Sequence, residues 1–269
     1  MTKTDDQLPD YNKPPVIEVV CGVTFKDLNG LLLPHVGLLW DRYRAEYPTC
    51  QEHAPLAAVV ERFDDQPSTS FSLDFPLPRS WFVHRDQTGI VQVQRDRFLH
   101  NWKKVREGDE YPRYSTVFAL FKERLATFTT FLAEQGIGEL RPTQYEMTYV
   151  NHVPFGETPS GTGDVGRVFP DFCWQAEERF LPKPEYFTWR TSFVLPPEAN
   201  GRLHTTIRTA RRTADNAPLI VLDMTARGMP QDSSEAAMQG WFDIAHEWIV
   251  KGFSDLTSEK MQKSWERTK

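Results

Sequence analysis

Hydrophobic residues in this chain follow two different periods, and the order in which those periods occur is the strongest constraint on its fold. From Val16 to Phe25 the side chains alternate, with Ile17, Val19, Cys21, Val23 and Phe25 on one face and Glu18, Gly22 and Thr24 on the other. That period of two is the pattern of a half-buried strand. Gln144 to Val153 repeats it, placing Tyr145, Met147, Tyr149, Asn151 and Val153 on one face. Tyr114 to Gln135 instead carries Val117, Phe118, Phe121, Leu125, Phe128, Phe131 and Leu132 along one helical stripe and stops at Gly136, which suits a left-handed cap. A second stripe of Met238, Trp241, Phe242, Ala245, Trp248, Ile249 and Phe253 follows Ser233 and Ser234, either of which can cap its amino end.

Between each leading strand and its closing helix lie further strands. Ser80 to Arg85 reaches a turn at Asp86-Gln87-Thr88-Gly89, and Ile90 to Trp102 reads as the return strand of a hairpin. Tyr186 to Leu195, Arg202 to Arg212 and Leu219 to Ala226 read as an antiparallel meander. The first half adds an early amphipathic helix from Pro34, through Val36, Leu39, Trp40, Tyr43 and Tyr47, to Pro48. Runs of strands closed by a helix define an α+β fold of antiparallel sheets with long packing helices. The order also suggests an internal duplication of a strand-meander-helix unit. Residues 14–140 and 141–269 are the two expected halves of one compact unit, and residues 1–13 a disordered tail.

With 269 residues, 39% hydrophobic and 13% aromatic, the chain has ample material for a core. A net charge of -6 is unlike a whole-molecule phosphate binder, so contact with nucleic acid would need a local basic patch. The amino end has no basic start and apolar run of a signal peptide, and no 18 consecutive apolar residues occur. A cytoplasmic protein without membrane contact is the expectation. Cys21, Cys50 and Cys173 are odd in number and far apart, a spacing that suits neither a disulfide framework nor a zinc site.

The recognisable chemical motifs fail on context. Gly161-Thr162-Gly163-Asp164-Val165-Gly166 matches a dinucleotide fingerprint, but Thr158-Pro159-Ser160 precedes it where a buried strand is needed. His246-Glu247 begins a zincin pattern whose second histidine would fall at Val250, so both residues are expected on the solvent face of the last helix. No metal or other cofactor is implied. Asp223, between Val221 and Thr225, could supply a buried carboxylate, although at a sheet end a structural role is the simpler one.

One basic and aromatic region stands out. Arg97, Asn101, Trp102 and Arg113, with Phe98, His100 and Tyr111 among them, combine charge for an anion with planar surfaces for stacking. The alternative is that Phe98 and Trp102 are core and that Arg97 pairs with a carboxylate such as Glu18. A second basic set, Arg202, His204, Arg208, Arg211 and Arg212, alternates largely with threonine, so one face should be wet. An exposed edge strand kept soluble by charge would explain it equally.

Pro14-Pro15-Val16-Ile17-Glu18-Val19-Val20, Arg97-Phe98, Asn101-Trp102, Tyr111-Pro112-Arg113-Tyr114, Tyr149-Val150-Asn151 and a closing helix ending in Phe253, with Trp265 beyond, resemble a sporadically distributed bacterial family of uncharacterised proteins of similar length. The resemblance implies no activity or catalytic residue. Its patchy distribution implies mobile-element or antiviral defence roles over housekeeping metabolism. The expectation is a non-catalytic binding or accessory protein, meeting a protein or nucleic-acid partner through Arg97, Asn101, Trp102, Arg113, Arg208 and Arg211. The alternative is an enzyme acting on a nucleotide or nucleic acid through a dispersed site near Arg97, Asn101, Arg113 and Glu18.

Overall fold

The structure is a computed structural model and describes residues 8–57, 59, 61, 77–172, 174, 180–229, 232 and 234–269. The alternating segments form strands β1 (Val16–Phe25), β2 (Thr49–His53), β3 (Arg79–Val83), β4 (Gly89–Gln94), β5 (Arg97–Lys103), β6 (Pro142–Pro154), β7 (Thr188–Val194), β8 (Gly201–Arg211) and β9 (Pro218–Gly228). The helical stripes give α1 (Leu33–Tyr43), α2 (Tyr114–Glu134) and α4 (Glu235–Leu256), with short α3 (Val165–Val168) and α5 (Glu259–Ser264).

All nine strands join one antiparallel sheet in the order β2-β3-β4-β5-β1-β6-β9-β8-β7. The order contains the expected duplication. β1 pairs with β5, the last strand of its meander, as β6 pairs with β9, and β1 pairs with β6 at the centre. The expected halves therefore share one continuous sheet.

Two of the expected boundaries fall differently. Ile90 to Trp102 is two strands, β4 and β5, reversed by a two-residue turn at Arg95 and Asp96. No glycine or asparagine marks this turn; its carbonyls are held from outside, Asp96 O accepting from Phe25 N at 2.8 Å and Arg95 O from Leu28 N at 3.0 Å. Residues 8–13 of the expected tail are packed, with Tyr11 buried and bridged to Arg267. Residues 1–7 and Cys173 lie outside the described residues.

Helices α2 and α4 cover one face of the sheet. Phe121, Phe128 and Phe131 of α2 and Trp241, Phe242 and Ile249 of α4 meet Val19, Val23, Phe98, Tyr145 and Met147 in a single core. Ser234 caps α4 by accepting from Ala237 N, and Gly136 takes φ 62° after α2 as expected. Trp248, expected on the buried stripe of α4, is only half-buried and borders a hollow with Phe193 and Leu203.

Among the described residues no helix covers the opposite face. There segment 54–61, as far as it is described, crosses the strands. The Gln94 carboxamide accepts from Leu56 N at 2.9 Å and donates to Leu56 O at 3.1 Å, while Gln144 accepts from Glu61 N at 2.8 Å and donates to Val59 O at 2.9 Å. Two glutamine side chains thus hold an extended backbone as a neighbouring strand would. The Glu61 carboxylate then accepts from Arg202 and, at 2.7 Å, meets His204.

Candidate functional site

Strand alternation divides the residues singled out by sequence between the two sheet faces. Arg97 and Asn101 point to the helix-free face and are buried there. Arg97 donates to Ala57 O of the crossing segment and pairs with Asp96 at 3.2 Å, in place of the expected Glu18. Asn101 donates to Glu18 Oε1 at 2.5 Å and accepts from Gln92 at 2.7 Å; Gln92 in turn accepts from Arg79 at 3.2 Å. Burial raises the Glu18 carboxyl, and Asp223 adds to the shift against the bond from Asn101.

Trp102 lies on the helix-covered face, where its ring meets Tyr111 at 5.4 Å. Arg113, at the start of α2, pairs with Asp10 at 2.7 Å. The four residues of the middle segment are therefore not one constellation: a strand's period of two sends Asn101 and Trp102 to opposite faces. The dispersed site of Arg97, Asn101, Arg113 and Glu18 is split by the sheet for the same reason.

Arg208 lies on the helix-free face of the second half and pairs with Asp223 at 3.4 Å. Burial raises the Asp223 carboxyl against the pull of Arg208. Arg211 is exposed at the end of β8 and donates to Asn216 O at 3.0 Å. Arg202, His204 and Arg208 share the wet face, as their alternation with threonine suggested, but β8 is not an edge strand; β7 is.

The helix-covered side holds a cavity of about 310 Å³. Five separated parts of the chain build it. Asp10, Tyr11, Pro14 and Val16 form one wall, Tyr111, Arg113, Tyr114 and Ser115 a second, Tyr149 and Asn151 of β6 the floor, His246, Ile249 and Phe253 of α4 the far wall, and Lys269 the fifth part. These segments, distant in sequence, meet here.

Tyr11, Tyr111, Tyr114, Tyr149, His246 and Phe253 bring aromatic rings to the cavity, beside charged Asp10, Arg113 and Lys269. The hydroxyls of Tyr111 and Tyr149 lie 2.7 Å apart. Tyr114 donates to Asp243 at 2.9 Å and stacks on His246 with ring centres 4.1 Å apart. Burial pushes the Tyr111, Tyr114 and Tyr149 phenols up, so all three remain protonated donors. Arg113 has φ 72° and ψ 157°, a region nearly confined to glycine that costs roughly 1–3 kcal/mol. Its bonds to Asp10 and to Tyr11 O at 3.2 Å hold it there.

His246 was expected on the solvent face with Glu247. Only Glu247 is there, paired with Lys251 at 2.5 Å. The signal was present in the spacing, because Phe242, His246, Ile249 and Phe253 follow one another by four, three and four. The Tyr111–Tyr149 pair had no such local signal, since it depends on β6 lying beneath the start of α2.

Among the described residues no group of three or more His, Cys, Asp or Glu is placed to hold a metal ion, and no helix is long and apolar enough to cross a membrane. Comparison with models of known protein families gives no match, and comparison with curated proteins gives none either.

Proposed function

We propose that this chain is a non-catalytic binding protein whose recognition site is the cavity between α2 and α4. The observation that carries the reading is the cavity itself, assembled from five parts of the chain and walled by groups that bind rather than react. Its phenols are held protonated, its arginine is paired with Asp10, and its His246 ring is stacked on Tyr114. Aromatic walls with a few fixed donors are the usual make-up of a small-molecule pocket, and about 310 Å³ is at the lower end of the usual size.

The helix-free face supports a second contact, with a protein rather than a nucleic acid. Arg97, Arg202, Arg208 and Arg227 on that face each have a carboxylate partner in Asp96, Glu61, Asp223 and Glu146. Guanidiniums neutralised in this way release few counterions from phosphates, which weighs against a basic patch. The family resemblance would set such a binding protein in a mobile-element or defence system.

Native mass spectrometry of the protein taken from its own cells tests the main reading. A small molecule held one to one, lost in a variant with the cavity filled by Val250→Trp and recovered chemically unchanged, is the expected result. A species converted on incubation with the protein would overturn the non-catalytic part. A ligand retained equally by the filled variant would overturn the assignment of the site.

A further inference from the structure

We infer that the cavity takes a small, largely planar and apolar molecule carrying a carbonyl or carboxyl oxygen, and that this oxygen sits on the Tyr111–Tyr149 hydroxyl pair. The inference rests on the cavity being a recognition site and adds the class of ligand.

The argument begins with proton counting. Two phenol hydroxyls 2.7 Å apart share one hydrogen bond, which uses one of their two protons. Both stay protonated because burial holds their acidity down, and among the described residues each hydroxyl bonds to the other. One O–H is therefore left over at the cavity wall, on a pair whose Tyr149 is 6% exposed. That proton is the one the pair can offer to a ligand oxygen seated in the cavity.

The surrounding groups fit the same chemistry. Ser115 contributes another hydroxyl to the wall, and Arg113 keeps one terminal nitrogen outside its bonds to Asp10 and Tyr11 O. The cavity also holds acceptors in the Asp10 carboxylate, which is paired with Arg113, and the Asn151 carboxamide, so the preference for a ligand oxygen is local to the hydroxyl pair. The body of the ligand is set by the rings. Tyr114 and His246 stack into one planar wall, and Tyr11 stands edge-on to Phe253 at 5.4 Å. Planar apolar groups fill such a slot through ring-face and ring-edge contacts.

Fluorine NMR line broadening with two fragments of equal shape tests the inference. One is para-trifluoromethyl acetophenone, which has the acceptor; the other is para-trifluoromethyl α-methylstyrene, in which a CH2 replaces the oxygen. The ketone should bind about tenfold more tightly, the ratio expected from one added hydrogen bond near 1.4 kcal/mol. In the double variant Tyr111→Phe with Tyr149→Phe the two fragments should bind alike. That variant should stay folded, because replacing both partners of a bond by apolar isosteres is nearly neutral.

Equal binding of both fragments to the unaltered protein, abolished for both by Val250→Trp, would overturn the ligand class and leave the cavity as a recognition site. Binding that Val250→Trp does not weaken, or none by either fragment, would overturn both. A ketone preference that persists in the double phenylalanine variant would overturn the role of the hydroxyl pair.

Discussion

The two halves of the sheet share one connectivity and finish differently on the helix-free face. In the first half that face is closed. Gln92, Gln94, Arg97 and Asn101 are buried on it, and segment 54–61 crosses over them. In the second half the face carries half-exposed Thr148, Thr206, Thr225, His204 and Arg227, with Arg190 and Ser192 exposed beyond them. The cause is where each half spends the chain between its leading strand and its meander. The first half spends it on α1, β2 and the crossing segment, the second partly on α3, which docks against the start of α5 through Ser258 N to Val168 O at 2.8 Å. The same wiring thus gives one sealed and one open surface.

The largest effects should ignore this difference, because the core under the helices is common to both halves. Trp241→Ala and Phe121→Ala should each cost about 3–5 kcal/mol, measured by urea denaturation. Both should shift a single transition, and two separate transitions would show that the halves unfold independently. Trp248→Ala, on a half-buried ring, should cost clearly less than Trp241→Ala.

On the helix-free face the halves should part. Asn101→Ala leaves Glu18 and Gln92 without their partner inside the sealed half and should cost about 1–3 kcal/mol. Thr148→Ala breaks the 2.9 Å bond to Thr225 on the wet half and should cost roughly 0.5 kcal/mol or less. Equal losses in the same denaturation assay would remove the contrast.

A pH dependence should also belong to the first half. His100 on β5 is 1% exposed, opposite Cys21, and neither ring nitrogen has a partner among the described residues. Burial lowers its imidazole to about 3, with Arg124 and His84 adding to the shift. The folded protein keeps His100 neutral while the unfolded chain takes a proton below the ordinary value near 6.5. Stability is therefore fully present above about pH 6.5 and falls as the pH drops towards 3, by up to about 1.4 kcal/mol per unit. His100→Phe should flatten that part of the profile; an unchanged slope would exclude His100 as its source.

The smallest effect should appear where the halves are tied. Gln144→Ala removes the acceptor of Glu61 N, and exchange of that amide should quicken about tenfold for a bond near 1.4 kcal/mol, with little change in overall stability. An unaltered rate would mean that this end of the crossing segment is held by Glu61 with Arg202 and His204 rather than by Gln144.

The architecture was largely legible in the residues because it rests on local period: alternation in Val16 to Phe25, a helical stripe from Val117 to Leu132, a serine at the start of α4. Features set by distant neighbours were not. The turn at Arg95 and Asp96 has no turn residues of its own and exists because Phe25 and Leu28 bond to its carbonyls. The crossing segment is fixed by side-chain amides of Gln94 and Gln144, which in sequence are ordinary strand polar positions. At the candidate site, Tyr111 and Arg113 stood out by composition, and alternation alone puts Asn101 on the strand face opposite Trp102, where the structure has it.

The bridge between Tyr11 and Arg267 makes the molecule almost a closed ring. Thr268 N bonds to Asp10 O at 2.9 Å and Lys13 pairs with Glu266 at 2.5 Å, so the two outermost packed stretches run side by side next to the cavity. A circular permutant that joins them by a short linker and opens the exposed hairpin near Asn216 would keep every strand pairing of the sheet. In such a protein the wall formed by Asp10 and Tyr11 becomes an internal loop, and any loosening of that wall would be read directly as a change in how fast a guest enters and leaves.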